Sequence, residues 1–267
     1  MKLKKTLFVL TLMISASSMY AQDDTGLGPL ITDRPDATES PNTVPVGFVQ
    51  FETGAFFTRE ENSGLTTEST TFNTMLVRYG ILDNMELRLG WNFTETRFSL
   101  NDMELEDVLS GLDPLLLGAK VAIAQENGLL PDIGLIGHVF LPFTAGRDYK
   151  PEYTGVDFRF SFGHTLSERS SLSYNLGAQW GGDSPEAEYV YTIAYGYAIT
   201  DAFGAYVELY GELPEDSGPN HLWDAGITYL VNDDLQLDAT IGSGIRSDQE
   251  LLISAGLSYR LDLRNKK

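Results

Sequence analysis

The chain has 267 residues, no cysteine, 38 acidic against 18 basic side chains, and a formal charge of −20 at pH 7. Such an acidic balance argues against nucleic acid as a partner, and without cysteine there is neither a disulfide framework nor a lipidated cysteine anchor. No segment approaches the roughly twenty apolar residues of a membrane-spanning helix, which excludes a helical inner-membrane protein.

In chain order, the first element is MKLKKTLFVLTLMISASSMYA, residues 1–21. Lys2, Lys4 and Lys5 precede an apolar stretch from Leu7 to Ile14, and small residues lead up to Ala21. This is the pattern of a secretory signal peptide, with cleavage expected after Ala21. Its removal makes the mature chain three charges more negative.

Residues 22–45 follow as an extended, proline- and aspartate-rich segment. Pro35, Pro41 and Pro45, together with several Asp, Thr and Ser, rule out a regular helix or strand. Thr32-Asp33-Arg34-Pro35-Asp36, then Thr38-Glu39-Ser40-Pro41, Val44-Pro45, Gly47, Gln50 and Glu52 form a specific opening pattern. In these residues the chain resembles the bacterial outer-membrane protein family assigned to transport in the phenol meta-degradation pathway. The resemblance continues more loosely through most of the mature chain. It implies an outer-membrane barrel with a transport role, and only weakly an aromatic solute. Read from their own chemistry, Asp33, Arg34, Asp36 and Glu39 on a proline-stiffened segment are suited to enter a lumen and pair with its charges. The plain alternative is a periplasmic leader.

From residue 46 to 263, extended segments succeed one another without helical periodicity. Twelve strands are predicted, at 46–58, 71–82, 85–96, 113–124, 132–142, 155–165, 171–181, 189–199, 203–212, 221–231, 235–246 and 251–263; a basic tail, 264–267, ends the chain. The alternation is strictest near the end, where Leu235, Leu237, Ala239 and Ile241 interleave with Gln236, Asp238, Thr240 and Gly242. Connections alternate between short turns (around Asp83-Asn84, Ser167–Ser170, Thr200–Ala202 and Asn232–Asp234) and longer polar loops, including 97–112 and 213–220. Short turns on one rim and long loops on the other predict an all-β fold, a transmembrane up-and-down antiparallel barrel.

Alternation alone also fits a soluble barrel with its faces inverted. Aromatic residues decide between the two. On the inferred outer face, Trp91, Phe93, Trp180, Tyr189, Tyr191 and Trp223 lie toward the long-loop rim. Tyr79, Tyr197, Phe203, Tyr229 and Tyr259 lie toward the short-turn rim. Two girdles suit two headgroup layers. The polar face is mostly Gly, Ser, Thr and Asn, poorer in charge than a water-exposed surface. Twelve strands also enclose more space than side chains alone fill.

The polar face then lines a lumen whose charges are Glu52, Arg78, Glu86, Arg88, Lys120, Asp157, Arg159, Glu208, Asp224, Asp238 and Arg260. They read equally as a rigidifying ion-pair network and as a pore that sorts solutes; the two are compatible. The segment's Asp33, Arg34, Asp36 and Glu39 are expected to dock among Arg78, Arg88, Arg159 and Arg260.

Catalytic and metal readings are weak. His138, His164 and His221 are too dispersed for a shared zinc site, and no hydrolase triad is evident. His221 with Asp224 or Glu215 is the one cluster a rim protease would use, and it reads more simply as a wet acidic loop. The acidic loop residues Asp102, Glu104, Glu106, Asp107, Glu212, Glu215 and Asp216 match no calcium-loop spacing. Gly242-Ser243-Gly244 sits within a strand, so it is no phosphate loop.

The expected function is passive passage of a small solute, aromatic or hydrophobic solutes included. The alternatives are a closed structural or adhesive barrel and, third, a barrel hydrolase. No enzyme activity, cofactor or metal is expected. The expected partners are outer-membrane lipid and lipopolysaccharide, the barrel-assembly machinery and the solute.

Overall fold

The computed structural model describes residues 27–264; the signal peptide expected at residues 1–21 lies outside the described residues. The period-two segments form thirteen β-strands: β1 Phe48–Asn62, β2 Leu65–Leu82, β3 Met85–Leu100, β4 Met103–Leu112, β5 Leu115–Ala124, β6 Asp132–Leu141, β7 Gly155–Ser167, β8 Ser170–Trp180, β9 Ala187–Ala198, β10 Phe203–Pro214, β11 Asn220–Asn232, β12 Leu235–Arg246 and β13 Gln249–Asp262. All pairings between them are antiparallel. β1 closes the sheet by pairing with β13, from Phe48↔Asp262 to Glu60↔Gln249, as well as with β2. The result is a closed barrel of twelve staves.

Twelve staves arise from thirteen strands because β4 and β5 share one stave. Both pair with β3: β4 over its long-loop half (Phe93↔Leu112 to Leu100↔Met103) and β5 over the other half (Met85↔Val121 to Gly90↔Leu116). The break falls at Asp113-Pro114. Proline has no N–H to give the ladder, while the Asp113 N–H still donates to the Asn92 carbonyl at 3.0 Å.

Two stretches expected as loops are sheet instead. β1 and β2 run on to a turn at Ser63-Gly64, with φ of 53° and 84°. β3 and β4 meet at Asn101-Asp102, with φ of 48° and 64°. Positive φ at both central residues is the type I′ hairpin geometry, whose twist matches the flanking strands. Residues 97–112 are therefore mostly hairpin, and the strand expected at 71–82 begins at Leu65. These two hairpins stand above the rest of the long-loop rim.

Burial runs opposite to that of a water-soluble protein. Gln50, Glu52, Arg78, Glu86, Lys120, Glu208 and Ser258 are at most 1 % exposed. Mid-strand Leu237, Ile193, Ile253, Val207 and Leu117 are each more than 40 % exposed. A continuous apolar belt of this extent on the outside is stable only against another apolar phase. Outward aromatics flank it: Tyr189 and Trp223 toward the long-loop rim, Tyr79, Tyr197 and Tyr229 toward the short-turn rim. Between them an aromatic ladder crosses β7 and β8, with Phe162 stacked on Tyr174 at 4.7 Å between ring centroids.

Candidate functional site: the plugged lumen

Residues 27–46 lie inside the barrel and hook across it. The segment enters against the β12–β13 end, where the Leu30 N–H donates to Asp233 and Arg260 donates to the Gly28 carbonyl, 2.7 and 2.9 Å. It crosses to the opposite wall at residues 37–39. Pro41 then passes Gly134 and Gly163, where a Cβ would meet it at 3.1 Å or less, and the chain returns to β1.

Asp33 is the centre of the first contact. Its carboxylate accepts from Lys120 Nζ at 2.7 Å and Arg88 at 2.9 Å, and lies 3.3 Å from Arg78. Arg78 also pairs with Glu52 and Glu86, both at 2.8 Å, and Arg88 with Glu39 at 2.9 Å. Three cations and four carboxylates thus meet in one buried cluster, which leaves little charge uncompensated. The segment's backbone is satisfied there too. Arg78 donates to the Ile31 and Asn42 carbonyls, Lys120 to Ser40, and the N–H groups of Asp33 and Val44 donate to Glu52 and Glu86.

Arg34 points the other way. Its guanidinium pairs with Asp238 at 2.8 Å, donates to Thr74 and Ser254, and lies 5.4 Å from the Phe56 ring centre. It rests over Gly54 and Gly256, cross-strand partners at which a Cβ would come within 2.7 and 2.3 Å of it. Only glycine leaves room for this side chain. On the far wall the Ala37 N–H donates to Glu208 at 2.7 Å, and the Thr38 hydroxyl donates to Glu208 and meets Thr192. Glu39 and Asn175 exchange two hydrogen bonds, 2.7 and 2.8 Å, the way a strand neighbour would.

The expected docking among four arginines is corrected at two of them. Arg78 and Arg88 hold Asp33 and Glu39. Arg260 instead pairs with Asp234, 2.6 Å away in the β11–β12 turn, and among the described residues of the segment it donates to the Gly28 carbonyl. Arg159 has no ion pair to the segment's described carboxylates, and its Nε finds no hydrogen-bond partner. Asp36 lies near Glu208 and Asp224 and is in no ion pair among the described residues. Gln50, Gly54, Asn175, Thr192, Ser254 and Gly256 were missed as contact residues. Their sequence signal is polar or glycine at the lumen phase of a strand, which marks a position but names no partner.

The histidines remain apart. His138, on the lumen face of β6, holds Asp157 at 2.8 Å. His164 stacks near Tyr174 at the short-turn end, and His221 meets the Tyr191 hydroxyl near the long-loop rim. Among the described residues no three His, Cys, Asp or Glu side chains are grouped to hold a metal ion.

The plug divides the lumen into two cavities. One of about 520 Å³ lies on the long-loop side, between the segment and Phe56, Leu76, Leu116, His138 and Phe140. One of about 430 Å³ opens toward the short turns, against Ser171, Gly196, Gly204, Tyr206 and Thr228. The residues that line both are Arg34, Pro35 and Asp36. A third, smaller space of about 330 Å³ adjoins the first at Asp113, Pro114 and Phe140, roofed by Tyr149 and Pro151 of the 142–154 loop. The Tyr149 hydroxyl meets Thr96 at 2.9 Å; burial, with Asp113 and Asp148 nearby, pushes its phenol above the ordinary value.

The model of the family described as "Putative MetA-pathway of phenol degradation" matches residues 32–261, from the plug motif to the last strand. The chain belongs to that family. No curated protein matches the sequence. Among solved structures, an outer membrane channel of Pseudomonas putida F1 superimposes with a TM-score of 0.63 at 14 % identity, over 86 % of this chain and all of that one. The translocator domain of the autotransporter NalP from Neisseria meningitidis gives 0.52 at 10 % identity, over 82 % and 90 %. The NanC porin gives 0.51 at 10 % identity, over 79 % and 100 %. At these identities the likeness is one of fold. Channels and a translocator domain share it, so function has to be argued from the lumen.

Proposed function

We propose that this protein is an outer-membrane channel for passive passage of a small solute, aromatic or hydrophobic solutes included, narrowed by its own N-terminal segment. The observation that carries the reading is the pair of cavities, one from each rim, separated by a single bend at Arg34-Pro35-Asp36. A structural barrel has no need of two such spaces meeting at one bend. The apolar outer belt supports residence in the outer membrane, and the charged wall supports sorting by charge as well as size. Liposome swelling with purified protein tests it: graded influx that falls with solute size is expected, and no influx above protein-free liposomes would refute it.

A second reading, a closed structural barrel, is favoured by how fully the plug is tied to the wall. The segment's N–H groups at 33, 37, 39 and 44 donate to wall side chains. The swelling result separates the two readings.

With short turns facing the periplasm, Ser110→Cys and Ser217→Cys should react with an impermeant thiol reagent on intact cells. Asn84→Cys and Asn232→Cys, exposed at the opposite rim, should react only after the outer membrane is opened. The reverse pattern would invert the proposed orientation.

A further inference from the structure

We infer that Asp36, Glu208 and Asp224 form a proton-operated latch on the plug: shared protons hold the bend at Arg34-Pro35-Asp36 against the β10–β11 wall, and their loss releases it, so the barrel opens as pH rises. The inference deepens the channel reading and rests on it for the conductance that follows release.

Glu208 of β10 and Asp224 of β11 are directly opposite cross-strand partners on the lumen face, 1 % and 3 % exposed. Two ionised carboxylates so placed repel each other and hold no donor between them. One shared proton turns that repulsion into a hydrogen bond. Asp224 Oδ1 is buried without a hydrogen-bond partner, a costly state that the proton relieves. Asp36 brings a third carboxyl to the same place from the plug. Glu208 also carries the plug itself, accepting from the Ala37 N–H at 2.7 Å and from the Thr38 hydroxyl. The charge of the trio therefore acts directly on the bend.

No cation relieves the three. Arg34, two residues before Asp36, is paired with Asp238 of β12. Asp33 and Glu39 are tied to Arg78, Arg88 and Lys120 across the lumen. Arg159 of β7 acts on Glu208 from a distance and forms no ion pair with it among the described residues. β8 and β9 present uncharged Asn175 and Thr192, and β10 adds Tyr206, Tyr210 and Glu212. The Tyr206 hydroxyl meets Thr240 of β12 at 2.8 Å. Burial first, and Glu208 next, hold the seated Asp36 well above the ordinary carboxyl range. Released into water it would titrate near about pH 4. The seated plug thus binds more protons than the released one. Its seat is firmest in acid and weakens, by up to about tenfold per pH unit for each proton lost on release, as pH rises.

Planar-bilayer conductance and deuterium exchange of residues 27–46 are measured on the mature protein from about pH 5 to about pH 9, with exchange corrected for its intrinsic pH dependence. In the wild type, conductance should rise with pH while plug protection falls, by up to about tenfold per unit over the responsive range. Asp36→Asn, outside every strand ladder, should remove much of the response. Adding Asp224→Asn fixes the pair in a neutral state and should keep the plug protected and conductance low at the alkaline end. Glu212→Gln neutralises a carboxyl four residues further along β10 and should keep the wild-type response; all variants must keep heat-modifiable migration on gels. A flat or reversed response in the wild type would overturn the latch. So would a response that persists in the double variant, as one driven by His138, His164 or His221 would, or one lost equally in Glu212→Gln. Conductance that rises while plug protection stays constant would overturn it as well. A silent protein whose plug loosens with pH, and is fixed by the double substitution, refutes the channel and not the latch.

Discussion

Replacing Asp33 by alanine is expected to raise single-channel conductance and shift ion preference toward anions while the barrel stays folded. Asp33 touches Lys120, Arg88 and Arg78 at once, and all four side chains are at most 7 % exposed. Removing one partner of a buried ion pair costs about 3–5 kcal/mol, because the charge left behind has lost both water and partner. Here the cost falls on docking of the segment. The strand ladders contain no atom of Asp33; Arg78 keeps Glu52 and Glu86 and Arg88 keeps Glu86, while Lys120 loses the carboxylate it pairs with. The plug should therefore leave its seat, exposing Arg78, Arg88 and Lys120 to the lumen. Thr38→Ala removes only hydroxyl contacts to Glu208 and Thr192, worth about 1 kcal/mol in a typical case, and should change conductance far less. Similar conductance in both variants and the wild type would mean that Asp33 is no anchor.

The second large effect belongs to the outer face. Leu257→Arg, at a mid-strand site paired with Leu237, should cost roughly 2–4 kcal/mol of barrel stability, the depth-dependent cost of a charge in the hydrocarbon. Its neighbour Ser258 faces the lumen and is fully buried beneath the segment. Arginine there should displace the plug more than it destabilises the barrel in lipid. Urea unfolding in lipid vesicles compares the two. Equal losses at 257 and 258 would mean that the faces have been assigned wrongly.

The two faces were legible in the sequence because period-two alternation is local: each residue's side follows from its neighbours. Wherever one face meets lipid, as in 235–246 or 251–263, the contrast is strong. It fades where a strand rises beyond the apolar belt. LTTESTT of β2 and MELEDVLSG of β4 have no uniformly apolar face, so they read as loops although Ser63-Gly64 and Asn101-Asp102 supply type I′ turns. The division of one stave at Asp113-Pro114 was hidden for the same reason. Ion-pair partners were only half legible. The segment's charge marked it as a docking element, but Asp33 finds Lys120 across 87 positions, and nothing local encodes that distance. Arg260 went to the nearer Asp234, whose place in a tight turn put it within reach.

The most direct test of the plugged-channel account is planar-bilayer conductance of the mature protein against a variant lacking residues 27–42. Both must migrate as heat-modifiable barrels. The account predicts a low or intermittent conductance for the complete chain and a larger, steadier one for the deletion, since the bend at Arg34-Pro35-Asp36 is what separates the two cavities. Identical conductance and ion selectivity in the two proteins, or silence in both, would contradict it.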